Sequence, residues 1–244
     1  MPNKIWERVS IQIEESIRGR EYAPGDKLPT EAEFSRKFMV NRHTLRRALS
    51  HLQEIGLIES TQGRGSYVRR PAIRYTIGKR TRFSDQIKNQ SIEASAKTRQ
   101  IVLKPANRAV AKALEISIGS KVIVVTRIGY AGGIPISMAS HHFDLKRFPT
   151  FQRVYPEHRS ITKTLVHCGV LDFTRKWTVV RSRLPGPDEC EHLNLPKHVP
   201  LIVTKSLNVD PLGKPLEYGE AVFASDRMEL DIASSEAPPQ DYSN

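Results

Sequence analysis

Residues 42 to 47 combine side chains of the types that bind nucleic acid. The polar members of this stretch lie on one side of a helical pattern and are Arg42, His43, Thr44, Arg46 and Arg47. Apolar residues within and after this stretch repeat at helical spacing on the other side and are Leu45, Ala48, Leu49, Leu52 and Ile55. Arginine and threonine side chains near a helix N-terminus can reach base edges and phosphates together in the major groove of DNA. The pattern therefore predicts a helix that reads DNA.

A second set of ionisable residues lies in the last half of the chain. Arg127 interrupts an alternating apolar run, so its charge must face either solvent or a polar pocket. His141 and His142 are adjacent and would face opposite sides of a strand, as would Glu217 and Tyr218. A metal site needs ligands on the same face together with further Asp, Glu or Cys partners, which are not evident. We therefore predict no metal ligands here.

Length and charge indicate a two-domain protein with a basic first part. The chain has 244 residues, 39% of them hydrophobic and 26% charged, and a net charge of +12. Residues 1–84 hold 17 basic and 9 acidic side chains, whereas residues 85–244 hold 21 and 17. This asymmetry favours an N-terminal module that binds a polyanion. A generally basic protein without such a module is the alternative on charge alone.

Neither a secretory signal nor a long apolar span is recognisable, and the two cysteines, Cys168 and Cys190, lack the spacing of a metal-binding pair. We therefore expect a cytoplasmic protein with reduced thiols and no membrane partner.

Two helices are expected before the DNA-reading helix. Ile5, Val9, Ile13 and Ile17 recur every four residues, and Pro24-Gly25 would end this first helix. Thr30 and Glu33 have the spacing of a capping box that opens a short second helix, which packs Phe34 and Phe38.

Asn41 is a suitable N-cap for the third helix and Gly56 a suitable left-handed stop. Alternating residues then flank the glycine turn 62–65, which predicts a β-hairpin. The segment 71–84 is basic and is expected to be a solvated linker, although phosphate contacts remain an alternative.

These motifs resemble the N-terminal domain of the GntR family of bacterial repressors. The resemblance covers about 65 residues: Thr30 to Phe34, Val40 to Leu49, Gly56 to Ile58 and Gln62 to Val68. It implies that Arg42, His43, Thr44 and Arg46 contact bases or backbone of DNA. Gly63 and Arg64 would lie at the wing tip, in or over the minor groove, and Thr30 and Glu31 would lie near the phosphates. Arg47 is as consistent with a surface residue or phosphate clamp as with a base-reading residue.

The remainder of the chain contains an internal duplication. Ala113 to Ile116 begins a unit that continues through a strand, the turn 132–135 and a second strand to Phe143. His192 to Leu195 begins another with the turn 212–215 and a strand to Phe223. A further helix, Ser160 to Cys168, lies between them. Two small helix-hairpin units predict one pseudo-symmetric sheet covered by helices.

This order resembles the effector-binding (UTRA) domain of the HutC branch of the GntR family, whose fold is shared with chorismate lyase. Val40 to Ala48, Arg82-Phe83-Ser84, Ser140 to Phe143 and Glu217-Tyr218 are similar to those of regulators of phosphonate utilisation. The resemblance implies an effector site formed by Arg82, Phe83, Ser84, Arg127, His141, Glu217 and Tyr218. Gly129 and Ala224 stand where relatives often carry arginine, and Arg227 is a candidate substitute for the latter.

The predicted fold class is α+β, with an N-terminal winged helix-turn-helix (residues 1–70), a basic linker (71–84), an α/β effector-binding and dimerisation domain (85–235) and a disordered tail (236–244). The expected function is transcriptional repression modulated by a small anionic effector, with phosphonate- and phosphate-related metabolites as the first candidates. The expected partners are the effector, an inverted-repeat operator in double-stranded DNA and a second copy of the chain. No catalytic residue and no cofactor is predicted, since a serine-histidine-acid order, a zinc motif and a phosphate loop are not found. A lyase-like enzyme and an architectural DNA-binding protein are the alternatives.

Overall fold

Three helices and a two-stranded hairpin form the first part of the chain. The computed structural model describes residues 4–61, 65–70, 72–79, 87, 90 and 92–232, and these divide into two compact units between Arg70 and Ala72. In the first unit, strands β1 and β2 pair antiparallel as the predicted wing. The elements are α1 (Ile5–Arg18), α2 (Glu31–Phe38), α3 (Arg42–Glu54), β1 (Ile58–Thr61) and β2 (Gly65–Val68).

Local capping residues determine most of the helix ends. The Thr30 hydroxyl accepts a hydrogen bond from the Glu33 amide at the start of α2, which confirms the predicted capping box. Gly56 has the predicted left-handed backbone (φ +74°) after α3. Helix α1 ends at Arg18 and not at Pro24-Gly25, because a left-handed Arg20 (φ +61°) already reverses the chain.

The apolar faces of the three helices meet in one core. This core also includes one residue from each wing strand, so the hairpin is attached to the helices by burial. Each fully buried aliphatic or aromatic side chain stabilises the fold by roughly 1.5–3 kcal/mol. The core members are Val9, Ile13, Leu28, Phe34, Leu45, Ala48, Leu49, Leu52, Ile58 and Val68.

A six-stranded antiparallel sheet is the centre of the second unit. Its strand order is β4-β5-β6-β9-β8-β7, so the strands of the two predicted hairpins meet between β6 and β9. The strands are β4 (Ala94–Pro105), β5 (Lys121–Ala131), β6 (Ile134–Asp144), β7 (Thr174–Arg183), β8 (Leu201–Val209) and β9 (Pro215–Ala224). The helices are α4 (Arg108–Leu114), α5 (Phe151–His158), α6 (Ile161–His167) and α7 (Pro187–Leu193).

The predicted duplication is present but its units are larger than expected. Each unit is a strand, a helix and a hairpin, because β4 precedes α4 and β7 precedes α7. The expected helix starts were wrong: Leu114 and Leu193 are the last helical residues, and Glu115 and Asn194 follow in the left-handed conformation. Helix α6 agrees with the prediction, whereas α5 and the edge strands β4 and β7 were not predicted.

Part of the expected linker belongs to the second unit. Strand β3 (Ile73–Thr76) pairs in parallel with β10 (Met228–Asp231), the last strand of that unit. The Arg74 amide also donates a hydrogen bond to the side chain of Gln90. A solvated linker over all of 71–84 is therefore not what the structure shows, since Ile73 and Tyr75 are buried. Residues 80–84 and the predicted tail 236–244 lie outside the described residues.

The two faces of the sheet are covered differently. On one face, α5 and α6 pack on Ile123, Val125 and Phe143, while β3 and β10 pack around Ile136 and Phe223. On the other face, α4 and α7 contribute to two further apolar clusters. Among the described residues, no helix is both long and apolar enough to cross a membrane.

Candidate functional site

The outer face of α3 presents the predicted DNA-reading side chains to solvent. Arg42, His43 and Arg46 are exposed, and Thr44 is half-buried next to the buried Leu45. The Asn41 side chain accepts a hydrogen bond from the Thr44 amide at 2.8 Å, which begins the helix at the base of this face. The arrangement leaves two arginines and a histidine free of the core, as a major-groove helix requires.

Glu31 and Arg46 form an ion pair between α2 and α3. The Arg46 Nε atom lies 3.1 and 2.9 Å from the two carboxylate oxygens of Glu31. Both side chains remain largely accessible, at 66% for Arg46 and 40% for Glu31. Thr30, predicted to lie near phosphates, is exposed, and its hydroxyl also donates to the carboxylate of Glu33.

Arg47 differs from the other arginines of α3. Its guanidinium lies over the Trp6 ring, 4.7 Å from the ring centre, and His51 meets the same ring edge-on. This cation-π contact holds Arg47 against α1. A DNA-binding role for Arg47 stays a prediction, as does the alternative of a surface residue or phosphate clamp. The predicted wing-tip residues Gly63 and Arg64 lie outside the described residues.

A cavity opens on the face of the sheet between the α5/α6 cluster and the β3/β10 pair. Its accessible space is about 110 Å³, and its lining includes Arg127, His141 and Glu217 from the predicted set. The central strands carry small residues at the cavity, which leaves room above the sheet. These small residues are Gly129, Ser137, Ala139, Gly219 and Ala221.

Strand register explains why these side chains meet. Arg127 pairs with Ala139, which pairs with Ala221 on β9, and His141 pairs with Gly219. A Cβ atom on Gly219 would come within 3.1 Å of the Ser206 hydroxyl and 3.7 Å of a Glu217 oxygen. The absence of a side chain at Gly219 therefore keeps the space between His141 and β8 open.

Three cavity-lining side chains and the buried Asn208 form a hydrogen-bonded chain. His141 Nδ1 lies 2.6 Å from Glu217 Oε1, and Asn208 Nδ2 donates to Glu217 Oε2 at 3.0 Å. Arg175 Nε donates to Asn208 Oδ1 at 2.6 Å, and another guanidinium nitrogen donates to Thr178. Both oxygens of the Glu217 carboxylate are thus occupied by protein donors.

The neighbours of the Glu217 carboxyl group favour its ionised form. Burial alone would raise its pKa, but the charge and hydrogen bond of His141, with the Arg175 charge and the Asn208 hydrogen bond, hold the pKa below its usual value. Because these neighbours already compensate the negative charge of Glu217, that charge is not available to balance a further cation.

Arg127 lies in the same cavity without a comparable partner. One terminal nitrogen donates to the Arg159 carbonyl at 3.3 Å, whereas its Nε is buried and has no hydrogen-bond partner among the described residues. A buried donor without a partner is costly, so an incoming acceptor at this position is favoured.

Other predicted residues lie elsewhere. Tyr218 is on the opposite face of the sheet, where its hydroxyl donates to Glu220 at 2.9 Å, and burial raises its pKa. His142 is on that face too, and burial lowers its pKa. Arg227 donates to the carbonyls of Pro135, Leu193 and Asn194, which assigns it to holding the end of α7 and not to the cavity. Arg82, Phe83 and Ser84 lie outside the described residues.

The sequence analysis did not single out Tyr75 and Arg175, which line the cavity, or Asn208, which links Arg175 to Glu217. Asn208 and Arg175 lie opposite each other on β8 and β7. The aromatic and β-branched residues from Trp177 to Val180 favour a strand at β7, but they do not reveal the partner strand. Within the described residues, no group of three or more His, Cys, Asp or Glu side chains could hold a metal ion.

A winged helix-turn-helix followed by a sheet with a charged cavity is the arrangement of a DNA-binding regulatory protein. The comparisons agree: the model of bacterial regulatory proteins of the gntR family matches residues 6–68, and that of the UTRA domain matches residues 89–229. The chain belongs to the GntR family of bacterial transcriptional regulators and carries the UTRA domain.

Similar proteins span nearly the whole chain. The probable transcriptional regulator PhnF of Escherichia coli is 31% identical over 229 residues, which cover 93% of this chain and 94% of that protein. The mannosyl-D-glycerate transport/metabolism system repressor MngR of the same organism is 26% identical over 236 residues, covering 93% and 95%. The crystal structure of PhnF from Mycobacterium smegmatis superimposes with a TM-score of 0.66 at 23% identity, over 94% of this chain and all of that chain. The two Escherichia coli relatives are a transcriptional regulator and a repressor by name. The likeness to the PhnF structure confirms the predicted fold class.

Proposed function

We propose that the protein is a repressor that reads an operator through α3 and is regulated by a small anionic metabolite bound in the sheet cavity. The proposal that an anion binds in the cavity rests on Arg127, whose Nε is buried and has no hydrogen-bond partner among the described residues. Of the two glutamates that line the cavity, Glu217 is already matched by His141, Asn208 and Arg175. The other, Glu220, forms an ion pair with Lys205. The positive charge of Arg127 is therefore not balanced by Glu217. A bound anion would supply both a negative charge and a hydrogen-bond acceptor for the Arg127 Nε.

Features of the cavity, and not the names of the relatives, indicate which kind of anion would bind. A phosphate or phosphonate group could use several acceptor oxygens, whereas a carboxylate offers two, and Gly129 supplies no second arginine beside Arg127. The names of similar repressors refer to chemically different metabolites, namely mannosyl-D-glycerate and histidine. We therefore propose an anion of low charge, with phosphonates and phosphate esters as the first compounds to test.

We also propose a route from the cavity to the DNA-binding unit. Tyr75 lines the cavity on β3, the first strand after the wing, and its ring lies 5.4 Å from that of Phe223. Beyond β3, the Ile77 amide donates to the Asp231 carbonyl, and the Lys79 carbonyl accepts from the Arg175 amide. A ligand that moves Tyr75 acts on residues that continue directly from the wing, and a preference for one arrangement of β3 would change operator affinity.

A thermal-shift screen of the full chain tests the ligand proposal. Phosphonates, phosphate esters, amino sugars and histidine-pathway compounds are added singly, and each hit is titrated into the complex with a duplex selected from random sequence. A ligand at about 100 times its Kd stabilises by roughly 2.7 kcal/mol, which such a screen detects. A hit that stabilises the protein and changes its DNA affinity supports the proposal. A hit that is chemically converted would favour the lyase-like alternative.

A further inference from the structure

The Glu31–Arg46 ion pair places an acidic group on the surface that is proposed to face DNA. Glu31 is the first residue of α2, and Arg46 lies one turn into α3, so the pair bridges the two helices of the helix-turn-helix. Its nitrogen-oxygen distances of 2.9 and 3.1 Å are those of charge-assisted hydrogen bonds. Residues 34 to 53 contain five basic residues and no acidic one, so Glu31 lies at the edge of a basic stretch, together with the capping residue Glu33.

Phosphate binding does not account for Glu31, and the contribution of Glu31 to fold stability as the first residue of α2 is small. A carboxylate repels the phosphates that surround a major-groove helix, so it cannot serve as a phosphate contact and weakens binding to all DNA. The pair is largely exposed, at 66% and 40%, and exposed ion pairs contribute little to stability. What the carboxylate does change is the direction of the Arg46 side chain, because a guanidinium held at its Nε has few remaining rotamers.

We propose that Glu31 is a positioning residue that determines sequence selectivity by orienting Arg46. Holding Nε on the carboxylate leaves the terminal guanidinium nitrogens to donate, which is the geometry for two acceptors on one base edge. An Arg46 released from Glu31 can instead turn to the nearest phosphate, which adds affinity without sequence information. This inference rests on the proposed role of α3 as the DNA-reading helix.

The experiment compares Glu31→Ala, Glu31→Gln and Arg46→Ala with the double variant, all in the full chain. Two probes are used: a duplex selected from random sequence by the wild-type protein, with every single base-pair change, and poly(dI-dC). Glu14→Ala is the control, because it also removes one negative charge and frees an arginine, Arg18, from an exposed ion pair within α1. Urea unfolding checks that the variants remain folded.

Glu31→Ala is expected to bind poly(dI-dC) about two- to fivefold more tightly and to lose about tenfold in the ratio of selected to non-selected affinity, within the range of one base contact. The loss of selectivity is expected at the same base pair at which Arg46→Ala loses selectivity. In the Arg46→Ala background, Glu31→Ala changes the ratio less than twofold. Glu31→Gln keeps an acceptor oxygen without the charge, so its ratio of selected to non-selected affinity should lie between those of wild type and Glu31→Ala. Glu14→Ala should leave this ratio unchanged.

Three results overturn the inference. One is an unchanged ratio in Glu31→Ala. Another is a loss at a different base pair that persists without Arg46, which would mean that Glu31 itself accepts from a cytosine amino group. The third is a wild-type protein that enriches no sequence at all, which overturns the proposed function as well. The first two leave the proposed function intact, so the two failures are distinguishable.

Discussion

Arg127 is the residue on which the proposed effector site depends. Arg127→Ala is expected to leave operator affinity unchanged in the absence of ligand and to weaken binding of the anion found by the screen. Each charge-assisted hydrogen bond that is lost costs about 1.5–3 kcal/mol, so Kd rises at least tenfold. Calorimetry on the full chain measures this change. Arg181→Ala removes an exposed arginine of β7 and is the control, and equal affinity of wild type and Arg127→Ala would remove Arg127 from the site.

The buried carboxylate of Glu217 should make the free energy of unfolding depend on pH. Its pKa is held below the ordinary 4.5 because His141, Arg175 and Asn208 outweigh the effect of burial. The ionised group therefore contributes stability above pH 4.5, and this contribution is lost as pH falls through the lower pKa of the folded state. Glu217→Gln should cost about 1–3 kcal/mol of unfolding free energy at pH 7, because the neutral amide cannot accept from both His141 and Asn208.

Urea unfolding at several pH values checks this expectation. The difference between wild type and Glu217→Gln should shrink below pH 4.5. Glu220→Gln, on the opposite face and 40% exposed, should cost less than about 1 kcal/mol. A difference between wild type and Glu217→Gln that is constant from pH 7 down through the unfolding transition would contradict the assignment of an ionised Glu217.

At the scale of elements, the N-cap of α3 orients the DNA-reading face. Asn41→Ala removes the acceptor for the Thr44 amide and should cost about 1 kcal/mol of unfolding free energy. Because the first turn of α3 carries Arg42 and His43, operator affinity should fall as well. Asn107→Ala is a matched control, since Asn107 caps α4 by the same bond to the Val110 amide at 3.0 Å.

The control should destabilise the second unit by a similar amount without changing operator affinity. Urea unfolding and fluorescence polarisation on the two variants provide the comparison. Equal losses of DNA affinity in both would mean that the effect of Asn41→Ala arises from general instability and not from the start of α3.

At the scale of the whole molecule, one DNA-reading helix and one wing per chain can cover a single half-site. We therefore predict that the protein binds as a homodimer to an inverted repeat, with half-site centres about one helical turn apart or a multiple of it. Sedimentation at micromolar concentration and footprinting on the selected duplex measure the two properties. A monomer that protects one half-site would contradict the prediction.

The sequence by itself determined the DNA-binding unit. Caps at Thr30 and Asn41, the apolar stripe of α3 and the stop at Gly56 are local signals, so the bounds of α2 and α3 follow from residues a few positions apart. The duplicated hairpins of the second unit were predicted for the same reason, and the alternation of side chains correctly separated His141 from His142 and Glu217 from Tyr218.

Only the tertiary structure decided which side chains share a cavity. The pairing of β6 with β9 joins strands about 80 residues apart, and the position of β7 brings Arg175 to Asn208 and Glu217. Tyr75 enters the same cavity from a segment whose composition indicates a linker, because its strand pairs with the last strand of the unit. These contacts depend on strand order and register between distant segments, and local periodicity gives the faces of a strand but not its neighbours. The ion pair of Glu31 with Arg46 likewise depends on the angle between α2 and α3. The sequence pattern predicted each of these helices separately and did not give the angle between them.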